Sequence, residues 1–415
     1  MKPTLLFITG FLLMVFSVSN AYCQIDKTQV SVSPFSRGDF WFNAGNNYWL
    51  DLDNLKTGGV NQGKESSDGL SFNTIYFPVD HFGAGLSLTS SRDNNKYTTY
   101  TDLSTSTMVY LNAMYGNTFG NNINLYAKAG VGFGSDRSKE TSSMSTNYNN
   151  KYNDFGANFE VGSPFAIGNG TGLYFTPMAG YEFYQSKNSI QTDKSSGAYL
   201  ATEFRASLPC SSYAHNCTDI HSFSENRYEQ GNNFIGGTSS FLFRFGNDDL
   251  VRQVGELGHP TITSKYSYSN AMLDIDYYHY ILNNVAVGAG LSLNSSMTNY
   301  KGQVYKTNNF SWTFSPEIQA NLPVKGELNN VFGFLEAGIG TSRYKTDNNN
   351  STSTYKYNLS DETLGAGYNL FFAKQFAFTP YIDYRWNTTK DQSTKIKTVA
   401  NGFEAGIVLR YSFRF

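Results

Sequence analysis

The chain repeats itself. Gly83-Ala84-Gly85-Leu86-Ser87-Leu88 recurs as Gly288-Ala289-Gly290-Leu291-Ser292-Leu293, Ala129-Gly130-Val131-Gly132 as Ala337-Gly338-Ile339-Gly340, and Phe175-Thr176-Pro177 as Phe378-Thr379-Pro380. Tyr181 and Tyr384 follow at equal spacing, Gly197, Arg205 and Ser207 match Gly402, Arg410 and Ser412, and 41–50 loosely matches 234–243. The offset stays close to about 205 residues, so the 415-residue chain reads as a leader followed by a tandem duplication.

Within each copy the pattern has period two, the mark of strands with one apolar and one polar face. Ile123, Leu125, Ala127, Ala129, Val131 and Phe133 alternate with Asn124, Tyr126, Lys128, Gly130 and Gly132, and Phe403 to Phe415 alternates likewise. Eight strands are predicted per copy. They lie near 39–52, 70–79, 82–91, 104–116, 123–134, 154–166, 172–185 and 196–208, then 232–245, 265–281, 285–295, 307–322, 330–343, 361–373, 376–388 and 401–415. Charged residues are 15%, below the roughly 25% of soluble domains, while aromatics reach 16% with 30 Tyr and 33 Phe. This excludes collagen-like and highly charged disordered chains, and the lack of long Ala/Glu/Lys/Leu tracts argues against a helical bundle. With 31 basic against 33 acidic residues there is no electrostatic reason to expect nucleic acid as a partner.

Alternation alone does not say which face meets solvent. Three features point to a membrane barrel with its apolar face outward in lipid. Short turns (Asp80-His81, Asn283-Asn284, Lys374-Gln375) alternate with long polar loops (92–103, 135–153, 344–360), Tyr and Phe gather near strand ends, and the chain stops on Phe415. The N-terminus agrees: Met1 and Lys2, the apolar run Leu5 to Val18, and Ala21-Tyr22-Cys23 before Gln24 read as a cleaved signal peptide over 1–23. A lipoprotein reading of Cys23 is weaker because Tyr22 is not small. A leader (24–37), repeat 1 (38–208), a periplasmic linker (209–231) and repeat 2 (232–415) follow, and no later apolar run is long enough for a transmembrane helix.

Asn233-Phe234-Ile235-Gly236-Gly237, the Gly-Ala-Gly-Leu-Ser-Leu third strand, Leu335-Glu336-Ala337-Gly338-Ile339-Gly340 and the terminal Arg410-Tyr411-Ser412-Phe413-Arg414-Phe415 resemble the eight-stranded outer-membrane β-barrel domain family of Gram-negative bacteria, once per copy. The resemblance implies an outer-membrane location, lipid and the insertion machinery as partners, and Phe415 as the insertion signal. Copy one departs from the pattern, ending its eighth strand in Leu208-Pro209 without a terminal aromatic.

Two architectures follow from duplication. The favoured one is all-β, a single 16-stranded antiparallel transmembrane barrel; the alternative is two 8-stranded barrels in tandem. Sixteen strands leave an aqueous channel whereas side chains fill eight, so the first predicts porin-like diffusion of small hydrophilic solutes. The second predicts a non-conducting structural or adhesive barrel presenting polar loops. Homo-oligomers are compatible with either. The pairing of 39–52, with 401–415 or with 196–208, separates them. Candidate lumen-lining charges are Lys128, Glu160, Glu182, Glu203, Arg205, Arg244, Asp274, Asp276, Glu317, Glu336, Asp383, Arg385, Glu404, Arg410 and Arg414.

The remaining motifs carry little chemistry. Cys210, His215, Cys217 and His221 offer zinc-type ligands, but their spacing fits no usual arrangement, and export favours a Cys210–Cys217 disulfide over a metal. Asp274, Asp276 and His279 suggest acid/base chemistry, yet period two puts His279 on the opposite face. No nucleophile elbow or phosphate loop occurs, so no enzyme activity, catalytic residue, cofactor or metal is predicted. Gly130, Gly132 and Gly134 are read as relieving crowding at the inner wall or permitting the strand to bend. Segment 246–264, with Leu250, Val251, Val254 and Leu257 among charges, is expected to be a loop folding into the mouth as a short helix.

Overall fold

A computed structural model describes residues 34–43, 47–97, 99–119, 123–142, 148–166, 173–189, 191–208, 228–236, 240–252, 262–301, 305–322, 330–348, 351–373 and 376–413. The signal segment 1–23, Cys210, His215, Cys217, His221, Arg414 and Phe415 lie outside the described residues.

The first half of the chain forms β1 (Phe40–Asn43), β2 (Asn47–Thr57), β3 (Val60–Val79), β4 (Phe82–Tyr97), β5 (Tyr100–Phe119), β6 (Ile123–Ser142), β7 (Tyr148–Gly162), β8 (Phe165–Ala166), β9 (Leu173–Lys187) and β10 (Gln191–Leu208). The second forms β11 (Asn233–Gly236), β12 (Ser240–Arg252), β13 (Ile262–Leu282), β14 (Val285–Lys301), β15 (Tyr305–Leu322), β16 (Asn330–Asn348), β17 (Ser351–Ala373), β18 (Phe376–Asp391) and β19 (Lys397–Phe413). All belong to one antiparallel sheet, closed where β19 pairs with β2. Because β1, β8 and β11 merely continue the paths of β2, β7 and β12, the nineteen segments make a sixteen-stranded barrel. This is the favoured architecture of the sequence.

Period two fixes which way each side chain points. On β16, Asn330, Phe332 and Phe334 are buried inside while Val331, Leu335 and Ile339 are exposed outside, Leu335 by 56% and Ile339 by 61%. An exposed apolar face wrapping a closed barrel is a face made for lipid. Inside, a Cβ added at Gly132 lies 2.7 Å from the Tyr110 ring, so bare positions there do make room for neighbouring side chains.

Two expectations about loops need correction. The polar stretches 92–103, 135–153 and 344–360 are mostly strand: β5 and β6 stay in register from Phe119↔Ile123 to Tyr100↔Ser142, and β16 and β17 from Asn330↔Asn369 to Asn348↔Ser351. At about 3.3 Å per residue, the 20 residues of β6 span about 66 Å, far beyond a hydrocarbon layer of about 30 Å. The hairpins therefore stand above the membrane. Likewise 246–252 is no helix in the mouth. It is the end of β12, paired on both sides as far as Arg252, and Val254 and Leu257 lie outside the described residues.

The wall is not uniform along its height. Above, β2 pairs with β19 (Thr57↔Thr398 to Tyr48↔Ile407) and β12 with β10 (Arg252↔Gln191 to Ser240↔Glu203), which joins the two halves. Below, β1 pairs with β10 (Phe40↔Leu208 to Asn43↔Arg205) and β11 with β19 (Asn233↔Phe413 to Gly236↔Arg410), which closes each half on itself. The segment 39–52 therefore pairs with both candidate partners, at different levels. The barrel forks toward the end that carries its short turns into two eight-stranded stems.

The switch is made by the same device twice. From Phe42↔Thr74 to Asn47↔Ser71 the first path advances five residues while β3 advances three; from Ile235↔Tyr277 to Ser240↔Asp274 the count is again five against three. Two extra residues let the strand cross from one neighbour to another, as a bulge does on a smaller scale. Below the fork, outward positions of the two stems meet: Ala206, Leu409 and Tyr411 are buried, and the Phe204 and Tyr411 rings lie 6.5 Å apart.

Candidate functional site

The candidate site is the lumen. Each stem is stopped at its lower mouth, the end away from the shared sixteen-stranded wall, by a turn folded against the first hairpin. In the first, Phe35 C=O accepts the His81 N–H (2.8 Å), Phe77 C=O the Gly38 N–H (2.7 Å), and Asp39 C=O the Phe77 N–H (3.0 Å). In the second, Tyr228 C=O accepts the Asn284 N–H (2.7 Å), Tyr280 C=O the Gly231 N–H (2.8 Å), and Asn232 C=O the Tyr280 N–H (2.9 Å). Gly38 and Gly231 both sit at φ 90, a conformation that L side chains rarely adopt. The two stoppers are the same object.

Above each stopper lies a packed interior, as expected for eight strands. In the first stem Phe35, Trp41, Ile75, Phe77, Met114 and Tyr126 form one buried cluster, and the Trp41 indole donates to Pro34 C=O at 2.6 Å. Over it sits a closed ionic group. Glu160 takes Lys128 at 3.0 Å and Arg205 at 2.9 Å, and accepts the hydroxyls of Tyr126 (2.6 Å) and Tyr199 (2.9 Å). Arg205 also reaches Glu203 at 3.1 Å and stacks over Tyr126 at 4.8 Å. Charge that deep is tolerated because each group is paired and hydrogen-bonded.

The second stem does the same job with different chemistry. Tyr228, Phe234, Tyr278, Tyr280 and Ala286 cluster with Phe371 against them. Arg410 stacks over Phe332 (4.6 Å) and Tyr278 (5.0 Å) and donates to Gln319 (2.8 Å), while Gln319 and Asn321 both donate to the Tyr280 hydroxyl. An amide, Gln319, meets Arg410 here where the carboxylate of Glu160 meets Arg205 in the first stem. Tyr278 donates to Glu317 at 3.0 Å, and Glu317 stands in register with Glu336 across β15 and β16.

At and above the fork the inner surface is polar and wet. Thr89 and Asn294 face inward by parity yet are exposed. Glu182 meets Arg244 at 2.8 Å across the seam between β10 and β12; Arg385 meets Asp383 (3.1 Å) and Glu404 (2.5 Å) beside the other seam. Asp274 and Asp276 also face inward. Of the fifteen charges expected to line the lumen, Arg414 alone lies outside the described residues, and the rest sit at inward positions. They are not brought together as one site: they divide among two stems and two seams. His279 faces away from Asp274 and Asp276, its Nδ1 2.9 Å from Asn233 Oδ1, so no acid/base pair forms there.

Sequence reasoning missed two things. The stoppers lie outside the alternating pattern, although the parallel between Gly38-Asp39-Phe40-Trp41 and Gly231-Asn232-Asn233-Phe234 marks them. The second is a row of tyrosines. Tyr384, Trp386 and Phe403 cluster on the outer face as an interface girdle should, with ring centroids 4.4 and 4.8 Å apart. Tyr266, Tyr300, Tyr305, Tyr344 and Tyr355, by contrast, occupy inward positions on five consecutive strands near the hairpin tips, with cross-strand ring distances of 5.3 Å (Tyr266–Tyr300), 5.1 Å (Tyr300–Tyr305) and 6.4 Å (Tyr344–Tyr355). Parity counted down from the aromatic-lined stem would have placed them inside.

No protein-family model and no curated protein matches the chain. Among solved structures, the chain is similar to the β domain of the Bordetella autotransporter BrkA (12% identity, 91% of this chain and 99% of that one, TM-score 0.31). It is also similar to the translocator domain of the autotransporter NalP from Neisseria meningitidis (10%, 98% and 95%, TM-score 0.25) and to the Vibrio cholerae outer-membrane protein OmpT lacking loop L8 (11%, 90% and 98%, TM-score 0.31).

Proposed function

We propose that the chain is an integral outer-membrane β-barrel that is closed to diffusion and holds an open, polar vestibule and long β-hairpins toward the outside, as a receptor or adhesive scaffold. One observation carries this reading: both stems are filled from stopper to fork, with Phe35, Phe77, Tyr280 and Phe332 each fully buried. A solute entering the vestibule meets aromatic packing on either path. On this reading the chain is a tandem duplication of an eight-stranded unit, a proposal supported by the matched hydrogen bonds of the two stoppers. A cleaved signal over 1–23, insertion directed by Phe415 and a Cys210–Cys217 disulfide belong to the same proposal, and the absence of a matched nucleophile and base in the sequence favours a non-enzymatic role.

Porin-like diffusion remains the second reading, favoured by the sixteen-stranded cross-section and its charged seams at and above the fork. Planar-bilayer conductance separates the two. The purified barrel is expected to insert without steady current. A stable open channel of porin size in the unmodified protein overturns the closed reading and establishes the second.

A further inference from the structure

We propose that the Pro34–Asp39 turn is a pH-responsive latch on the floor of the first stem, released as Asp39 loses its proton, whereas the Tyr228–Asn232 turn is a permanent closure of the second. The two stoppers share their backbone geometry; of their side-chain differences, which include Ser36 against Glu229 and the facing Asp80 against Asn283, the one that puts a buried acid in the first lies at the residue after the glycine. The first has a carboxylic acid and the second its neutral amide, Asn232.

Asp39 is 1% exposed. Its Oδ2 accepts the Ser36 N–H at 3.1 Å, and its Oδ1 is buried without a hydrogen-bond partner. A neutral carboxyl tolerates that place; an ionised one leaves an uncompensated charge out of water. The ionisable groups packed around it do not compensate. Asp80, in the β3–β4 turn, is acidic and accepts the Arg37 N–H at 2.7 Å, while the Arg37 side chain itself is exposed. Tyr174 on β9 contributes a phenol, and the His81 ring is held at 3.0 Å from Gly116 C=O. Burial, chiefly, and the nearby Asp80 charge push Asp39 up to about 7 against the pull of the Ser36 N–H. Asp39 precedes the first strand, so its protons exchange with the periplasm.

The sign follows from linkage. A docked turn that binds the proton more tightly than the released one is favoured at low pH. Release gains roughly tenfold per pH unit between about 4 and about 7 and then levels off, roughly a hundredfold in all from pH 5 to pH 8.

Amide hydrogen exchange on the full-length protein in lipid vesicles tests this, with the second stopper as internal control. The N–H groups of Gly38, Phe77 and His81 report the first turn, and those of Gly231, Tyr280 and Asn284 the second. After correction for intrinsic exchange, the first set is expected to open about a hundredfold more at pH 8 than at pH 5 while the second stays level. Asp39→Asn is expected to flatten the first set, and Asn232→Asp to confer the pH response on the second. A level first set in the unmodified protein, a parallel rise in both, or a rise that survives Asp39→Asn overturns the latch. Heat-modifiable gel migration checks that each variant is folded, and the wild-type comparison decides the matter even where a variant is not.

Discussion

The fork makes a geometric claim that two cysteine pairs can test within one molecule. Phe42 faces Ala206 below the fork, and Leu50 faces Ala405 above it. Directly opposed antiparallel residues have Cα atoms about 4.5–5.5 Å apart, inside the roughly 4.4–6.8 Å window of a disulfide. A sixteen-stranded barrel tilted by about 40° is about 30 Å across, and β10 lies seven positions from β2 one way around it and nine the other. Were the wall uniform, Phe42 and Ala206 would stand on opposite sides and could not be joined. Were the halves two separate barrels, Leu50 and Ala405 could not be joined. With the native cysteines replaced by serine, the Phe42→Cys/Ala206→Cys pair and the Leu50→Cys/Ala405→Cys pair are each expected to oxidise in high yield. The four-cysteine variant should form both bonds in the same chain, read by mass spectrometry of the oxidised, proteolysed barrel. The matching positions Ile235/Tyr411 and Phe243/Leu200 provide a second, independent set. Formation of one class of bond with failure of the other refutes the fork and selects the uniform barrel or the separate pair accordingly.

Further outcomes follow from individual contacts. A Cβ at Gly116 stands 2.3 Å from the Phe35 ring, so Gly116→Val should expel the first stopper and abolish exchange protection of the His81 amide, leaving that of Asn284 intact. Arg205→Met strips the buried Glu160 of one of its two cations and should cost about 3–5 kcal/mol, whereas Arg244→Met breaks a half-exposed pair and should cost under about 1 kcal/mol; urea unfolding of the vesicle-inserted protein measures both. Leu335→Arg puts a charge on the lipid face and should destabilise by about 2–4 kcal/mol in the same assay, while Glu336→Arg, one residue along and facing the lumen, should cost less. Equal losses for these two would contradict the assigned facing.

What the sequence made legible was parity. Lys128, Glu160 and Arg205 follow from alternation with no knowledge of partners, because a strand one residue out of phase reverses every side chain. The hairpins above the membrane were not legible for the complementary reason. Where both faces meet water, as along Lys345–Asn348 and Ser351–Lys356, nothing selects apolar residues on one side, and a register-paired ladder has the composition of a loop. Partner choice below the fork was hidden by the repetition itself. Phe204-Arg205-Ala206-Ser207 and Leu409-Arg410-Tyr411-Ser412 present nearly the same edge, so a pattern that finds a partner for one finds it equally for the other.

Why the wall should open partway up follows from volume. An eight-stranded interior is stable only if side chains fill it. Below the fork the inward positions hold Trp41, Phe77 and Tyr126 in one half and Phe234, Tyr278, Tyr280 and Phe332 in the other, enough to pack two narrow stems dry. Above it they turn small and polar, with Ser87, Thr89 and Ser91 on β4, Ser292, Asn294 and Ser296 on β14, and Ser311 and Thr313 on β15. Two narrow tubes with that lining would enclose hydroxyls and amides beside gaps too small for bulk water. Each would leave polar atoms unsatisfied at about 1–3 kcal/mol apiece. A single wider tube admits water to all of them. The change of partner between Asn43 and Asn47, and between Gly236 and Ser240, thus falls where the lumen changes from aromatic to hydroxylic, and the two residues by which each first strand outruns its neighbour are what allow the same backbone to serve both cross-sections.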